Sequence, residues 1–378
     1  MSTSPFLNLP GAIELPDAAD HGVPSHYGSP NIEQRALERG DAIVDLSSRA
    51  VVAITGPDRR SWVNSLASQA VADLAPGVST EALFLGPQGR LEHAVGVIDD
   101  GETLWLLAEP TSASALIDWL SRMVFTLRVE VTDRTADFAR IGVVGDTTEL
   151  PAAAPADVPL RWDDPWGSVL PGGWQYASDE EHPSADWRWS EVLVERSALP
   201  ALAARVRSGE LRAAGSLAAE ALRVAAWRPR QAMDADEKTI PHELDWLRTA
   251  VHLHKGCYRG QETVAKVHNL GRPPRRLVML HLDGSESVLP AHGAAVLAPK
   301  GDDEREVGQI TTAVMHHELG PVALAVIKRA VPEDLELIVL DDETRIAAAQ
   351  EIIVPPGAGA TADVPRLPRL GARTRPGR

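Results

Sequence analysis

The chain has 378 residues, 44% apolar and 24% charged, a globular balance long enough for two or three domains. Acidic residues outnumber basic ones by 53 to 37, giving a formal charge of −16, which argues against DNA or RNA as the main partner. The single cysteine, Cys257, excludes an intrachain disulfide and any cluster or zinc site built from this chain's thiolates alone.

Met1 to Pro10 carries no Lys or Arg ahead of its short apolar stretch, so it does not read as a secretory signal. No window approaches the roughly 18 apolar residues of a membrane span. The expectation is a cytoplasmic protein with no membrane partner.

Ser29-Pro30 reads as a helix start, with the helix running to about Gly40. Apolar runs at Ile43–Leu46 and Val51–Ile54 read as strands, and Thr55-Gly56-Pro57-Asp58 opens a helix striped by Trp62, Val63, Leu66 and Ala67. Ala82–Leu85 precedes a turn at Gly86-Pro87-Gln88-Gly89. Ala94–Ile98 and Thr103–Leu107 flank Asp99-Asp100-Gly101-Glu102, a hairpin signal because glycine tolerates positive φ. A helix over Ala113–Phe125 and an alternating strand at Leu127–Val131 follow. Thr147 to Pro165, rich in Ala and Pro, reads as a loop. Glu191–Val194 reads as a strand, and Leu199–Val206 and Ser216–Trp227 as helices, the second stopped by Pro229. No GxGxxG or Walker loop occurs, so a nucleotide-binding sheet has no support.

From Arg275 the texture changes to short apolar runs at Leu277–Leu282, Ala294–Leu297, Val307–Ala313, Val322–Ile327 and Leu335–Leu340. Their Gly, Pro and Asp punctuation predicts a small β-barrel or sandwich. The expected organisation is an α+β region over 1–215, a helical connector over 216–274, a barrel over 275–354 and a disordered basic tail over 355–378. That tail carries Arg366, Arg369, Arg373, Arg375 and Arg378.

Lys255-Gly256-Cys257-Tyr258-Arg259-Gly260-Gln261-Glu262 is the densest chemical run. Lys255 and Arg259 flank the thiol, and positive charge favours thiolate, so a partly exposed Cys257 reads as a nucleophile. The alternative is a buried, inert cysteine in a Gly-rich turn. His252 and His254 form a His-x-His pair that on a strand would share one face, with His242 and His268 nearby. Their spacing with Cys257 fits no strong zinc pattern.

This run resembles the K-G-C-[FY]-x-G-Q-E motif of the folate-binding YgfZ family, relatives of the glycine-cleavage T protein. Glu220-x-Leu222-Arg223-Val224 with Pro229, Asp45-Leu46-Ser47-Ser48-Arg49, Ile54-Thr55-Gly56-Pro57-Asp58, Leu85–Arg90 and Val307–Thr312 are similar to further family segments. The likeness spans about residues 30–345. It implies a T-protein-like α+β fold with a C-terminal β-barrel around a folate pocket. Tetrahydrofolate or a one-carbon derivative is the implied ligand, and iron–sulfur assembly or client proteins are the implied partners.

The resemblance also implies site residues. Arg223 and Lys255 would meet the anionic tail of the folate, Glu191 the donor edge of its pterin, and Tyr258 and Gln261 join them as motif residues. Apart from the resemblance, Arg272, Arg275 and Arg276 form a basic cluster around Pro273-Pro274 that reads either as added positive potential or as exposed loop arginines. Where the T protein carries paired aspartates, this sequence has Glu92-His93. The extra methylene of Glu92 displaces its carboxylate, and errors near 1 Å cost about 10²-fold in rate. Three readings stay open: a folate-dependent one-carbon or thiol reaction at Cys257 assisted by Glu92, a non-catalytic folate-binding accessory protein, and a true aminomethyltransferase.

Overall fold

Helix α1 (Pro30–Glu38) has proline in its first turn, and Gly40, at φ +80°, turns the chain into β1 (Ile43–Asp45) and then β2 (Ala50–Thr55). The computed structural model describes residues 3–16, 20–145, 149–178, 182–285, 288–301 and 303–362. Helix α2 (Arg59–Leu66) starts beyond Gly56, whose φ is +104° and whose missing Cβ would lie 2.0 Å from the Arg128 carbonyl oxygen. That turn requires glycine. β3 (Ser79–Leu85), β4 (Leu91–Asp99) and β5 (Thr103–Ala108) then form an antiparallel meander. The body continues with α3 (Ala113–Arg122), β6 (Glu130–Asp133), β7 (Phe138–Val144) and β8 (Arg161–Asp163). It ends with β9 (Trp189–Glu195), α4 (Leu199–Arg207), β10 (Ala213–Ala214) and α5 (Ser216–Ala225).

These strands make two five-stranded sheets, ordered β3-β4-β5-β2-β6 and β10-β1-β7-β9-β8. One core lies between them, with Val51, Trp105 and Leu107 from the first sheet against Leu46, Phe138 and Leu193 from the second. Helices α2 and α3 cover the outer face of the first sheet through Trp62, Leu116 and Leu120. Phe6 and α4 cover that of the second through Leu199 and Leu202. Helix α5 is apolar on two sides. Ala218 and Leu222 enter the inter-sheet core, while Ala221 and Val224 enter a third core facing the barrel.

Three short helices, α6 (Gln231–Asp234), α7 (Leu247–Ala250) and α8 (Gln261–Asn269), lead to the C-terminal strands. These are β11 (Arg275–Leu282), β12 (Ala295–Lys300), β13 (Asp303–His316), β14 (Gly320–Lys328), β15 (Leu337–Asp341) and β16 (Thr344–Ile352). They close into an antiparallel barrel in the order β11-β14-β13-β12-β15-β16. The α+β class with a terminal barrel therefore holds.

Several expectations need correction. β7 is a central strand with every residue buried, so it lacks the alternation that marks a half-exposed strand. Its Gly142 makes room for the Trp189 ring, which a Cβ there would meet at 2.4 Å. β8 sits inside the Ala/Pro-rich stretch read as a loop, whose Thr147 and Thr148 lie outside the described residues. β16 carries Ala347, Ala348 and Ala349, poor strand formers that its place in the closed barrel overrides. The helix over 113–125 ends at Arg122, and Phe125 adopts φ +48° in the turn beyond it. His252 and His254 lie in a turn, not a strand, with rings edge-on at 6.3 Å. The tail does not start at 355: Ala358 is buried, and the Thr361 amide donates to the His268 carbonyl at 3.0 Å. The five tail arginines lie outside the described residues.

The third core contains a buried imidazole. His242 is 0% exposed, with Nε2 3.0 Å from the Val264 carbonyl oxygen, and its ring stacks on Tyr176 at 6.3 Å. Burial lowers its pKa to about 4. Between that value and the unfolded value near 6.5, only the unfolded chain takes up the proton. Stability contributed here is therefore present near neutrality and lost as pH falls from about 6.5 to about 4. We predict that His242→Gln flattens the fall in urea-measured stability between pH 6.5 and pH 4.5 by up to about 1.4 kcal/mol per pH unit. Parallel curves for the two proteins would mean that His242 is not a source of the acid sensitivity.

Candidate ligand-binding site

A cavity of about 100 Å³ lies where the two sheets meet α5 and the segment before α6. Ala94 and Gly96 on β4 give it a wall of small residues, and Trp162, Trp187, Trp189 and Trp246 contribute indole faces. Gly96 is required there, since a Cβ would lie 2.7 Å from the Trp162 ring. The remaining wall is ionic. Its guanidinium groups belong to Arg49, Arg140, Arg223, Arg228 and Arg230, all buried.

Each cation is matched. Arg230 donates to Glu109 at 2.8 Å through both Nε and Nη2, to Asp20 at 2.8 and 2.9 Å, and to Glu220 at 3.0 Å. Arg49 grips the same Asp20 with two bonds of 3.0 Å and reaches Glu191 at 3.3 Å. Arg140 holds the other oxygen of Glu191 at 2.5 Å. Burial alone would raise the Asp20 carboxyl, yet Arg230 and Arg49 outweigh it and hold the pKa far below the carboxylate range. Arg228 donates through Nη2 to Glu81 at 2.6 Å and through Nε to Asp164 at 3.0 Å. Trp246 and Thr249 donate to Glu81 as well, at 3.0 and 2.7 Å.

An outer recess of about 280 Å³ adjoins this cavity and shares Glu109 and Gln231 with it. Gln231 pins β4 there, accepting from the Ala94 amide at 2.7 Å and donating to the Glu92 carbonyl at 2.8 Å. Glu92 opens onto the recess, half-buried, and its Oε2 accepts from Arg259 Nη1 at 3.0 Å. Strand alternation sends the neighbouring His93 to the opposite face, where burial lowers its pKa to about 4. The pair Glu92-His93 therefore does not act as two side by side proton acceptors.

Arg259 belongs to the cysteine-bearing loop, so one ion pair ties that loop to the recess. Backbone contact reinforces the tie. Gly260 has φ +83°, and a Cβ on it would meet the Gly86 carbonyl oxygen at 2.6 Å. Cys257 is exposed, which removes the reading of a buried, inert thiol. The charges expected to flank it point elsewhere. Lys255 Nζ donates to the carbonyls of Asn64, Ala67 and Gln69 at 2.6, 2.7 and 2.9 Å, binding the C-terminal end of α2. The same ammonium stands 5.3 Å from the centre of the buried Tyr258 ring. Gln261 is the first residue of α8.

Sequence reasoning thus brought Glu191 and Arg223 to the cavity and Glu92 to the recess, but left Lys255, Cys257 and Tyr258 on an adjoining loop and Gln261 at the start of α8. Arg223 is not a free anion receptor. It donates to Glu220 at 2.8 Å, Asp234 at 2.7 Å, the Arg228 carbonyl at 2.6 Å and Thr312 of the barrel at 2.9 Å. Arg275 is likewise held by Asp236 and Glu243, and Arg276 is 0% exposed in β11. Asp20, Arg140, Arg228 and Arg230 were missed. The repeat Arg228-Pro229-Arg230 at the end of α5 was the available signal, two cations where the chain must leave a helix.

Residues 16–154 match the family model of the GCVT N-terminal domain. The chain is 22% identical over 307 residues to a chloroplastic, transferase-like protein of Arabidopsis thaliana, covering 78% of this chain and 66% of that one. It is 24% identical over 313 residues to the aminomethyltransferase of Herpetosiphon aurantiacus, covering 81% and 84%. Against the aminomethyltransferase of Nitrosococcus oceani the figures are 26% over 259 residues, covering 64% and 66%. The chain therefore spans about two thirds of the Arabidopsis and Nitrosococcus proteins. The glycine cleavage system aminomethyltransferase T from Bartonella henselae superimposes with a TM-score of 0.71 at 17% identity, over 92% of this chain and 94% of that one. The chain has the T-protein-like fold, body and barrel together.

Removing one partner of a buried ion pair leaves the other charge uncompensated, at roughly 3–5 kcal/mol. Arg223→Ala exposes Asp234 to that penalty, while Glu220 keeps Arg230, and cuts a link to the barrel. We predict a loss of at least about 3 kcal/mol in chemical denaturation, whether or not a ligand is present. A change below about 1 kcal/mol would show that these bonds behave as surface pairs.

Proposed function

We propose that the cavity and its outer recess bind a reduced folate, tetrahydrofolate or a one-carbon derivative. The observation that carries this reading is a cavity wall that combines the indoles of Trp162, Trp187, Trp189 and Trp246 with carboxylates and guanidinium groups. A pterin is flat and has hydrogen-bonding groups on its edge, so the donor and acceptor set suits it. Glu191 already meets four donors, Arg49 and Trp189 at Oε1 and both Nε and Nη2 of Arg140 at Oε2, so a ring edge must share this carboxylate with them. The inner volume of about 100 Å³ fits a ring rather than a whole folate, which leaves the rest of the ligand to the recess. A bound tetrahydrofolate would supply the amine nitrogens that carry one-carbon units.

Arg223 and Lys255 are engaged within the fold, so the anionic tail runs toward solvent past Arg259, the half-buried cation paired with Glu92 of the recess. In this reading Glu191 orients the ring, Gln231 fixes the strand beneath it, and Arg259 holds the Glu92 carboxylate through Oε2. That pairing and the longer side chain weigh against aminomethyl transfer of the glycine-cleavage type, the second reading, which the names of the bacterial relatives favour. Turnover of an aminomethyl-lipoyl carrier protein with tetrahydrofolate separates the two.

We place the chain in the YgfZ branch of the superfamily and in iron–sulfur protein maintenance, acting in the cytoplasm. The Lys255–Glu262 motif and the exposed Cys257 support this. One thiol builds no cluster alone, so its work is nucleophilic, redox, or one ligand of a cluster shared with a client or assembly protein.

The first test is titration of the purified chain with tetrahydrofolate, followed by quenching of tryptophan fluorescence. Saturable binding is expected, and none up to millimolar ligand would sink the folate reading. The second is Cys257→Ser, which should leave chemical denaturation unchanged while lowering iron–sulfur enzyme activity in cells that depend on this protein. Full rescue by the serine variant would make the thiol dispensable.

A further inference from the structure

We propose that Asp234 is a positioning residue for the ligand, through which the barrel sets the geometry of the cavity wall. The inference rests on the folate reading of that cavity and goes beyond it by giving the barrel a part in binding.

Asp234 closes the four-residue helix α6 and is 2% exposed. Its Oδ2 accepts from Arg223 Nη1 at 2.7 Å and from the Arg230 amide at 2.9 Å, and both arginines belong to the cavity wall. Its Oδ1 accepts from the hydroxyls of Thr311 and Thr312 at 2.6 and 2.8 Å. Two donors on each oxygen match the acceptor capacity of a carboxylate. Consecutive side chains of a regular strand point to opposite faces. Thr311 and Thr312 reach one oxygen because the register of β13 against β14 shifts between Ile310 and Thr312, a bulge that re-aims the side chains. Thr312 also accepts from Arg223 Nη2 at 2.9 Å, so strand, carboxylate and guanidinium form a closed triangle.

The other end of α6 faces the ligand. Gln231, three residues before Asp234, holds the Ala94 amide and the Glu92 carbonyl of β4, and it lines both the cavity and the recess. One turn of helix therefore has its first residue on the site strand and its last on the barrel. None of Asp234, Thr311 and Thr312 is among the described residues that line the cavity. Their effect on a ligand passes through Arg223, Arg230 and Gln231. An apolar contact between barrel and body would tolerate sliding. Four hydrogen bonds to one carboxylate fix both distance and direction.

The test uses the full chain and tetrahydrofolate. In hydrogen exchange of the wild type, bound ligand should slow the Ile310–Ala313 amides of β13 by at least about 10-fold more than the amides of β15 in the same barrel. Equal slowing of the two strands, or none in β13, overturns the inference. The variants ask the same question of the side chains. Thr311→Val combined with Thr312→Val removes both hydroxyls, and the folded protein should bind about 10-fold more weakly. Thr311→Ser combined with Thr312→Ser keeps the hydroxyls and should stay within about 3-fold of the wild type. A merely structural role would lower the urea midpoint of the valine variant and leave the affinity of its folded fraction unchanged, which also overturns the inference. If the valine variant does not fold, the exchange measurement decides. Saturable binding without these effects leaves the folate reading intact, and absence of binding to the wild type overturns both.

Discussion

Arg230 joins three parts of the chain at one point. Its guanidinium reaches Asp20 of the N-terminal segment, Glu109 at the end of β5 and Glu220 on α5. Arg49 closes the circle by holding Asp20 from the other side and touching Glu191 on β9. Charges at this depth are tolerable only as a set, because each one removed leaves a partner without compensation. An apolar filling would stabilise the junction at least as well. It would not leave a polar wall around a cavity, and the ionic set does.

The cavity and the cysteine-bearing loop communicate through short-range contacts. Gly260 lies against the Gly86 carbonyl, and Gly89 lies against Thr263, where a Cβ would meet the side chain at 2.9 Å. The turn before β4 and the turn before α8 are thereby fitted to each other, and the Arg259–Glu92 pair spans them. Lys255 anchors the same loop on the end of α2. The motif is best understood as a brace that sets the position of Glu92, with Cys257, like Gly256 and Glu262, exposed.

The strands bounded by Gly, Pro and Asp were legible because such residues act locally. β7 was not, since burial on both faces erases alternation, and β16 was not, since closing a barrel rewards a strand that its alanines disfavour. The motif was legible as chemistry but not as geometry. A lysine beside a thiol in sequence says nothing of where its ammonium points, and Lys255 turns to backbone carbonyls. The Arg223–Glu220 pair, three residues apart on a helix, was within reach of sequence reasoning. Asp20 with Arg230 was not, since only the folded chain brings them together.

The parallel pairing of β1 with β10 carries a consequence for synthesis. Ile43 and Val44 lie beside Ala213 and Ala214, so the edge of β1 stays open until most of the body has left the ribosome. At about 5–20 residues per second, that interval is on the order of ten seconds. During it a buried-type strand presents unpaired amides and carbonyls, a template for pairing with another nascent chain. Arg230, which locks Asp20 in place, emerges later still. Expression yield should therefore depend on translation speed and chaperone supply more than the closed native fold would lead one to expect.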